Sequence, residues 1–232
     1  MADLTVLTKP LSVEEIEFRA KQAFENKNGA AALLLAYKNS RTDMNRLDQA
    51  LGILGWQNTF HRDSKGVLQC SIGLWNDDLK QFIWKTSNGI ESDYEKEKGE
   101  YSDAFKRAGF ACGIGRELYQ FPTMIVPMWP QDYYKEGAKI KIKHSFNPNK
   151  FKWTIHGDAM KHMKNLTAHR KDASGEWVKM WESNPRFQGW ISKERFDKMI
   201  GVANDDPDVV RENISNFLLT DSQVEKLNDI IG

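Results

Sequence analysis

The stretch from residue 56 to residue 112 constrains the fold more than any other part of this sequence. From Trp56 to Lys85 apolar side chains alternate with polar ones, and turn residues interrupt the pattern at Asp63–Gly66 and Asn76–Asp78. This pattern predicts a three-stranded antiparallel meander. A helical period then runs over about residues 93 to 112, which a Ser92/Glu95 capping box opens.

Three elements are predicted before this stretch. Ser12 and Glu15 form a capping-box pattern, and apolar residues at helical spacing predict a first helix over residues 13 to 26. The short apolar run from Ala30 to Tyr37 predicts a buried strand. Ser40 is expected to cap a second helix that turns four apolar residues inward, namely Met44, Leu47, Leu51 and Leu54.

After residue 122 the periodicity is weaker. Lys139–Lys143 and Lys150–His156 alternate like short basic strands, and Ala159–Arg170 fits a helix. Two or three short helices are expected after Ser192, Asp208 and Thr220. The chain is therefore expected to have an α+β fold, with an antiparallel β-meander of three or more strands packed on the long helix and a mostly helical C-terminal region. The expected division is a core over 1–171 and an acidic helical region over 172–232.

The net charge of +1, from 33 basic and 32 acidic residues, by itself argues against a nucleic-acid partner. Its distribution changes that interpretation. Residues 135–171 hold ten Lys and Arg against two acidic residues, whereas residues 201–232 hold seven acidic residues against two basic ones. A near-neutral sum thus hides a basic block and an acidic tail.

The N-terminus lacks a signal-peptide pattern, and the longest apolar run is too short to cross a membrane. A soluble, cytoplasmic protein with no membrane partner is expected, located in the host cytoplasm if a phage encodes it. Cys70 and Cys112 lie in strand-like and helix-like patterns, so buried free thiols are expected rather than a disulfide.

Sequence patterns for catalysis are weak. Gly113-Ile114-Gly115 follows a helix and lacks the third glycine of a dinucleotide loop, and no Walker-type motif occurs. Asp78-Leu79-Lys80 has the spacing of some magnesium nucleases, but an aspartate is ordinary in a turn. The histidines match no zinc pattern, so solvent-facing or DNA-facing positions are expected for them. We expect a protein that is not an enzyme and that needs no cofactor or metal.

Two basic segments fit a surface that follows a phosphate backbone. At strand spacing Lys139, Lys141 and Lys143 share one face opposite two isoleucines, and Lys150 and Lys152 repeat this arrangement. An edge strand that uses lysines to block aggregation explains the same pattern equally well. On the long helix, i,i+4 spacing pairs Lys96 with Glu100 and Asp103 with Arg107, which is typical of a salt-bridged surface, and leaves Lys106 unpaired.

Two motifs carry a family resemblance. Residues 102–108 read SDAFKRA and residues 113–119 read GIGRELY, and the run over residues 98–119 that contains them resembles the signature helix of the Rad-fifty-two type single-strand annealing proteins, especially their phage (Sak-like) branch. Tyr37, Arg41, the Arg-Leu-Asp at 46–48 and the Gly-Trp at 55–56 resemble the family's upstream helix. The resemblance covers about residues 30–122 in the family's order.

The resemblance implies an ATP-independent protein that binds single-stranded DNA and anneals it to its complement in recombination and repair, as a homo-oligomeric ring or helical filament. The implied phosphate contacts are Lys106, Arg107 and Arg41. Gly109-Phe110 departs from the family, in which a basic or small residue is frequent and cellular relatives carry a further arginine; Arg116 replaces that arginine or holds the end of the helix. The full set of DNA-binding candidates is Arg41, Arg46, Lys96, Lys98, Lys106, Arg107, Arg116, Lys139, Lys141, Lys143, Lys150 and Lys152.

Further partners implied are an exonuclease and a host single-strand-binding protein. Two alternatives stay open beside annealing, a passive single-strand binder and a metal-dependent nuclease that uses Asp78.

Overall fold

The computed structural model describes residues 2–26, 29–89, 96–155, 166–183, 191–217 and 219–231. In this part of the chain the fold is α+β, as expected. The helices are α1 (Thr5–Thr8), α2 (Ser40–Leu51), α3 (Lys96–Cys112), α4 (Lys193–Asp205), α5 (Pro207–Asn213) and α6 (Asp221–Ile231). The strands are β1 (Glu17–Asn26), β2 (Gly29–Tyr37), β3 (Trp56–Arg62), β4 (Leu68–Asn76), β5 (Gln81–Asn88), β6 (Met124–Pro127), β7 (Tyr133–Glu136), β8 (Lys139–Ile142), β9 (Lys152–Ile155), β10 (Leu166–Lys171) and β11 (Trp177–Glu182).

The strands form three-stranded sheets in the orders β1-β2-β6, β3-β4-β5 and β11-β10-β9, and a β7-β8 hairpin. The chain packs into two compact units, one of residues 1–17 and 36–121, the other of residues 18–35 and 122–232. These units follow spatial packing and do not coincide with a boundary at residue 171.

The first unit contains the predicted meander, which packs on α3. Leu68, Cys70 and Ile72 of β4 are buried on the face towards the helix. Across this contact the rings of Trp56 and Phe105 lie 6.0 Å apart. The alternating pattern therefore identified both the strands and their inner face, because a period of two places every second side chain on one side of a sheet.

Helix α2 forms as predicted, but its inner face is different. Its cap is Asn39 and not the predicted Ser40, which is the first helical residue; Asn39 accepts a hydrogen bond from the Thr42 amide at 3.1 Å. Leu47 is buried, whereas Met44 is 39% exposed and Leu54, which lies beyond the helix end, is 89% exposed. The expectation that both point inward was wrong, because the buried face of α2 is completed by polar residues, namely Thr42, Asp43 and Arg46.

The predicted helix over residues 13–26 is wrong. The Ser12/Glu15 capping box is present, but it caps only a short 3-10 turn over Val13–Glu15, and the chain then continues as β1. Phe18 of β1 is buried and stacks on Trp153 at 3.8 Å between ring centroids. Pairing with β2 and this distant aromatic contact outweigh a local helical preference, which is weak by comparison.

The second unit holds the remaining sheets. The expected helix over Ala159–Arg170 is wrong where the chain is described, because residues 166–171 form β10 between β9 and β11. Leu166 and Ala168, two residues apart, are fully buried, which is strand periodicity. The expected basic strands are present as β8 and β9.

Three helices close the chain, as predicted. Ser192 caps α4, and Asp206 rather than Asp208 caps α5. Their shared apolar core includes Phe196, Val210 and Leu227. The predicted capping box at Ser92 and Glu95 lies outside the described residues, and α3 is described from Lys96 onwards.

Candidate nucleic-acid interface

Helices α2 and α3 meet where Gly109 faces Asp43. A Cβ atom added at Gly109 would lie only 2.1 Å from Asp43 Oδ1. The carboxylate can approach the helix this closely because the position is a glycine. Asp43 forms an ion pair with Lys38, and both side chains are at most 1% exposed. Lys38 Nζ also donates a hydrogen bond to the Ile114 carbonyl at 2.8 Å, which ties the end of β2 to the turn after α3.

Burial governs the protonation of this buried pair. It raises the pKa of the Asp43 carboxyl to about 6, and the ammonium groups of Lys38 and Lys106 partly oppose that rise. Burial also lowers the pKa of the Lys38 ammonium. Lys106 is three residues before Gly109 in α3, close to the contact between α2 and α3.

Lys106 and Arg41 lie within one helical turn of this contact. Lys106 is half-buried, and its Nζ lies 5.9 Å from the ring centroid of Tyr37 at the end of β2. Arg41 is exposed in the first turn of α2, two residues before Asp43. The crossing of the two helices thus brings two of the cations implied by the resemblance to one region of the first unit.

Arg107 has a different environment from Lys106. Its Nε donates to Asp103 Oδ2 at 2.7 Å, and its side chain is 36% exposed. The predicted i,i+4 pair is therefore confirmed. Glu100, by contrast, accepts two hydrogen bonds of 2.7 and 3.1 Å from Arg62 of β3. The carboxylate that was expected to pair with Lys96 is therefore bound to an arginine of the sheet.

Arg46 holds the fold together. Its guanidinium binds both carboxylate oxygens of Glu15 at 2.6 and 2.7 Å. It also donates to three carbonyls of the N-terminal segment, those of Val6, Lys9 and Pro10. At 6% exposure, with these bonds made, Arg46 serves the packing of α2 and is not part of the interface proposed below.

Arg116 combines exposure with a structural contact. Its Nε and Nη2 donate to the Phe110 and Ala111 carbonyls at 2.8 and 2.9 Å, and so satisfy the C-terminal end of α3. Gly115, the residue before it, has a left-handed φ of 74° and caps the 3-10 turn Arg116–Gln120. The Gly113-Ile114-Gly115 stretch therefore ends a helix.

An aromatic pair next to these cations was missed by the sequence reasoning. The rings of Phe110 and Tyr119 lie 4.8 Å apart, and Tyr119 is 72% exposed. The Lys38 ammonium lies 4.1 Å from the centroid of the Phe110 ring. The i,i+4 spacing of Lys106 and Phe110 could have revealed that cation and aromatic share one face of α3.

The remaining basic candidates fall into two groups. Lys96 and Lys98 belong to the first turn of α3, and their side chains lie outside the described part. In the second unit four exposed lysines carry no ion pair within the described residues, namely Lys139, Lys143, Lys150 and Lys152. Lys141 pairs with Glu136 at 3.2 Å. Because β8 pairs only with β7 in the described chain, both the DNA-facing and the edge-strand interpretations stay open.

The residues considered for nuclease or zinc chemistry are Asp78 and the histidines. Asp78 is exposed in the β4–β5 turn, His144 is exposed, and His156 and His162 lie outside the described residues. Across the described ranges no three His, Cys, Asp or Glu side chains are grouped as metal ligands. Both cysteines are free thiols. None of the helices described is long and apolar enough to cross a bilayer.

No family model, curated protein or solved structure matches this chain.

Proposed function

We propose that this protein binds single-stranded DNA and anneals it to a complementary strand without ATP, as a homo-oligomer in recombination and repair. The observation that carries the proposal is the crossing of α2 and α3. It places Arg41 and Lys106 each within one helical turn of the Asp43–Gly109 contact, with the half-buried Tyr37 ring 5.9 Å from Lys106 Nζ, within the two segments that carry the family resemblance. Cations on rigid elements next to aromatic faces are what a single strand requires of a binding groove.

In this proposal Lys106, Arg107 and Arg41 bind the phosphate backbone. Each contact is weak, so affinity comes from many equivalent contacts along an assembly of protomers. Holding the strand extended lowers the entropic cost of starting a duplex, because nucleotides are ordered before the complement arrives. No step requires nucleotide hydrolysis, and the chain carries no Walker motif.

Assembly is supported by an apolar surface at one end of the meander. Three large side chains there are strongly exposed: Ile53 at 76%, Leu54 at 89% and Leu79 at 60%. The Trp75 amide donates to the Gly55 carbonyl at 3.0 Å, which places residues 53–55 beside the end of β4. Exposed apolar clusters typically mark interaction surfaces, and a second protomer is the occupant proposed here.

The basic segments of the second unit are proposed to contact the same strand or its complement, and the acidic helices to contact other proteins, such as an exonuclease or a single-strand-binding protein. The proposed location is the cytoplasm, that of the host if the protein is phage-encoded.

The direct test mixes labelled complementary oligonucleotides with purified protein in EDTA and without ATP. Accelerated duplex formation is expected. Binding without acceleration would instead indicate a passive single-strand binder, and strand cleavage that appears only with magnesium would indicate a nuclease.

Substitution of the cations tests the residue assignment. Lys106→Ala and Arg107→Ala are expected to weaken binding and to reduce the slope of log affinity against log salt by about 0.7 for each phosphate contact removed. Lys198→Ala is the matched control, because Lys198 is an exposed helical lysine of α4 paired with Glu194. Lys106→Arg should restore affinity. Wild-type affinity and salt slope in both alanine variants would remove these residues from the interface.

A further inference from the structure

Tyr119 is held in place by the elements around it. The 3-10 turn that carries it is fixed at one side by Arg116, which binds the end of α3, and at the other by Glu117, whose Oε1 accepts the Leu11 amide proton at 2.6 Å. Glu117 is only 4% exposed. The backbone of Tyr119 is therefore fixed, although its side chain faces solvent.

Phe110 supports the ring of Tyr119. It packs on Phe110 with centroids 4.8 Å apart and an interplanar angle of 53°. Phe110 is fixed in turn, because the buried Lys38 ammonium lies 4.1 Å from its centroid. With 72% of the residue exposed, a flat apolar face remains available next to a rigid base.

Two cations belong to the same two elements as this aromatic platform. Lys106 lies one helical turn before Phe110 on the same side of α3. Arg116, three residues before Tyr119, is exposed and uses Nε and Nη2 for the helix carbonyls, which leaves Nη1 to meet an anion. An exposed aromatic ring with one cation on the supporting helix and another three residues earlier in its own turn offers both kinds of contact that a single strand makes, through its bases and through its phosphates.

We propose that Tyr119, supported by Phe110, stacks against one base of the bound strand. This inference rests on the proposed function, and it adds a contact with a base to the proposed contacts with phosphates. Stacking engages the flat face of a base and leaves its Watson–Crick edge uncovered. The strand is thereby held without hiding the edge that a complement must read, and any of the four bases is accepted.

The test compares how wild-type protein and two Tyr119 variants bind two oligonucleotides. Wild-type protein and Tyr119→Leu are titrated with an oligothymidylate and with an abasic oligonucleotide of the same length. Leucine keeps an apolar cover over Phe110, so the fold is retained. Wild-type protein is expected to prefer the base-containing strand by at least about fivefold. Tyr119→Leu should lose most of this preference with unchanged affinity for the abasic strand, and Tyr119→Phe should retain it.

Each outcome has a distinct meaning. The stacking role is overturned if Tyr119→Leu keeps the full preference for the base-containing strand, or if it lowers the affinity for both strands equally. The proposed function stands in either case. If wild-type protein binds neither strand, the proposed function fails and the stacking role fails with it. Lys106→Ala should lower the affinity for both strands by the same factor. A 2-aminopurine in the strand gives an independent readout, because its stacking-dependent fluorescence should change with the wild-type protein and less with Tyr119→Leu.

Discussion

At the scale of single residues, Gly109 permits the close contact between α2 and α3. The space that a side chain at Gly109 would need is occupied by the carboxylate of Asp43 from α2. This carboxylate is paired with Lys38 and is completely buried. A side chain at Gly109 would displace that carboxylate and separate α2 from α3.

Gly109→Ala is therefore expected to lower the free energy of unfolding by about 2 kcal/mol, the usual cost of overpacking a tight contact. Urea unfolding followed by circular dichroism measures it. Gly201→Ala in the middle of α4 is the control, because a Cβ atom there meets nothing within 4 Å and alanine favours a helix by about 1 kcal/mol. Equal stability changes in the two variants would contradict the proposed role of Gly109.

At the scale of elements, side-chain contacts hold α3 in place both near its start and at its C-terminal end. Near its start Glu100 binds Arg62 of β3, and after its end Arg116 binds the last carbonyls. Between these points the aromatic contacts with the meander fix its rotation. The cations of α3 are therefore carried by an element whose position is fixed by contacts within the first unit.

The Arg62–Glu100 pair predicts a pH dependence. The hydrogen bond from Arg62 holds the pKa of Glu100 below its ordinary value of 4.5. The folded state thus binds this proton less readily than the unfolded state, so the pair stabilises the fold above about pH 4.5 and this contribution is lost as pH falls through the folded-state pKa.

Arg62→Gln should remove this dependence, which urea midpoints measured between pH 3 and pH 7 will show. Lys65→Gln, at an exposed position in the following turn, is the control and should keep the wild-type profile. A wild-type profile in Arg62→Gln would argue against the pair.

At the scale of the whole molecule, the near-zero net charge is a cancellation. Basic and acidic residues are concentrated in separate segments, so a polyanion can be attracted locally while the sum stays close to neutral. A low net charge also reduces the repulsion between protomers, which agrees with the proposed assembly.

Leu54→Asp is expected to weaken that assembly. Leu54 is 89% exposed, so the substitution should leave the unfolding free energy within about 0.5 kcal/mol of wild type, while a charge in a protomer interface disfavours association. Light scattering after size exclusion reports the mass of the assembly. Val209→Asp is the control, because Val209 is an exposed valine of α5 at 44% exposure. An unchanged mass for Leu54→Asp would separate this surface from assembly.

The sequence by itself determined the meander, α2, the long helix and the C-terminal helices. Their periodicities are local, and each can be read within one window of the chain. It also singled out Lys106 as the cation of the long helix without an i,i+4 acidic partner, whereas its position 5.9 Å from the Tyr37 ring centroid came only from the structure.

Only the tertiary structure decided the identity of β1 and β10, the burial of Arg46 and the meeting of Asp43 with Gly109. Each of these depends on a partner far away in the chain, as when Phe18 of β1 stacks on Trp153. Local preferences are small compared with the free energy of burying such a contact. For the same reason the aromatic platform of Phe110 and Tyr119 becomes visible only once the turn after α3 folds back on the helix.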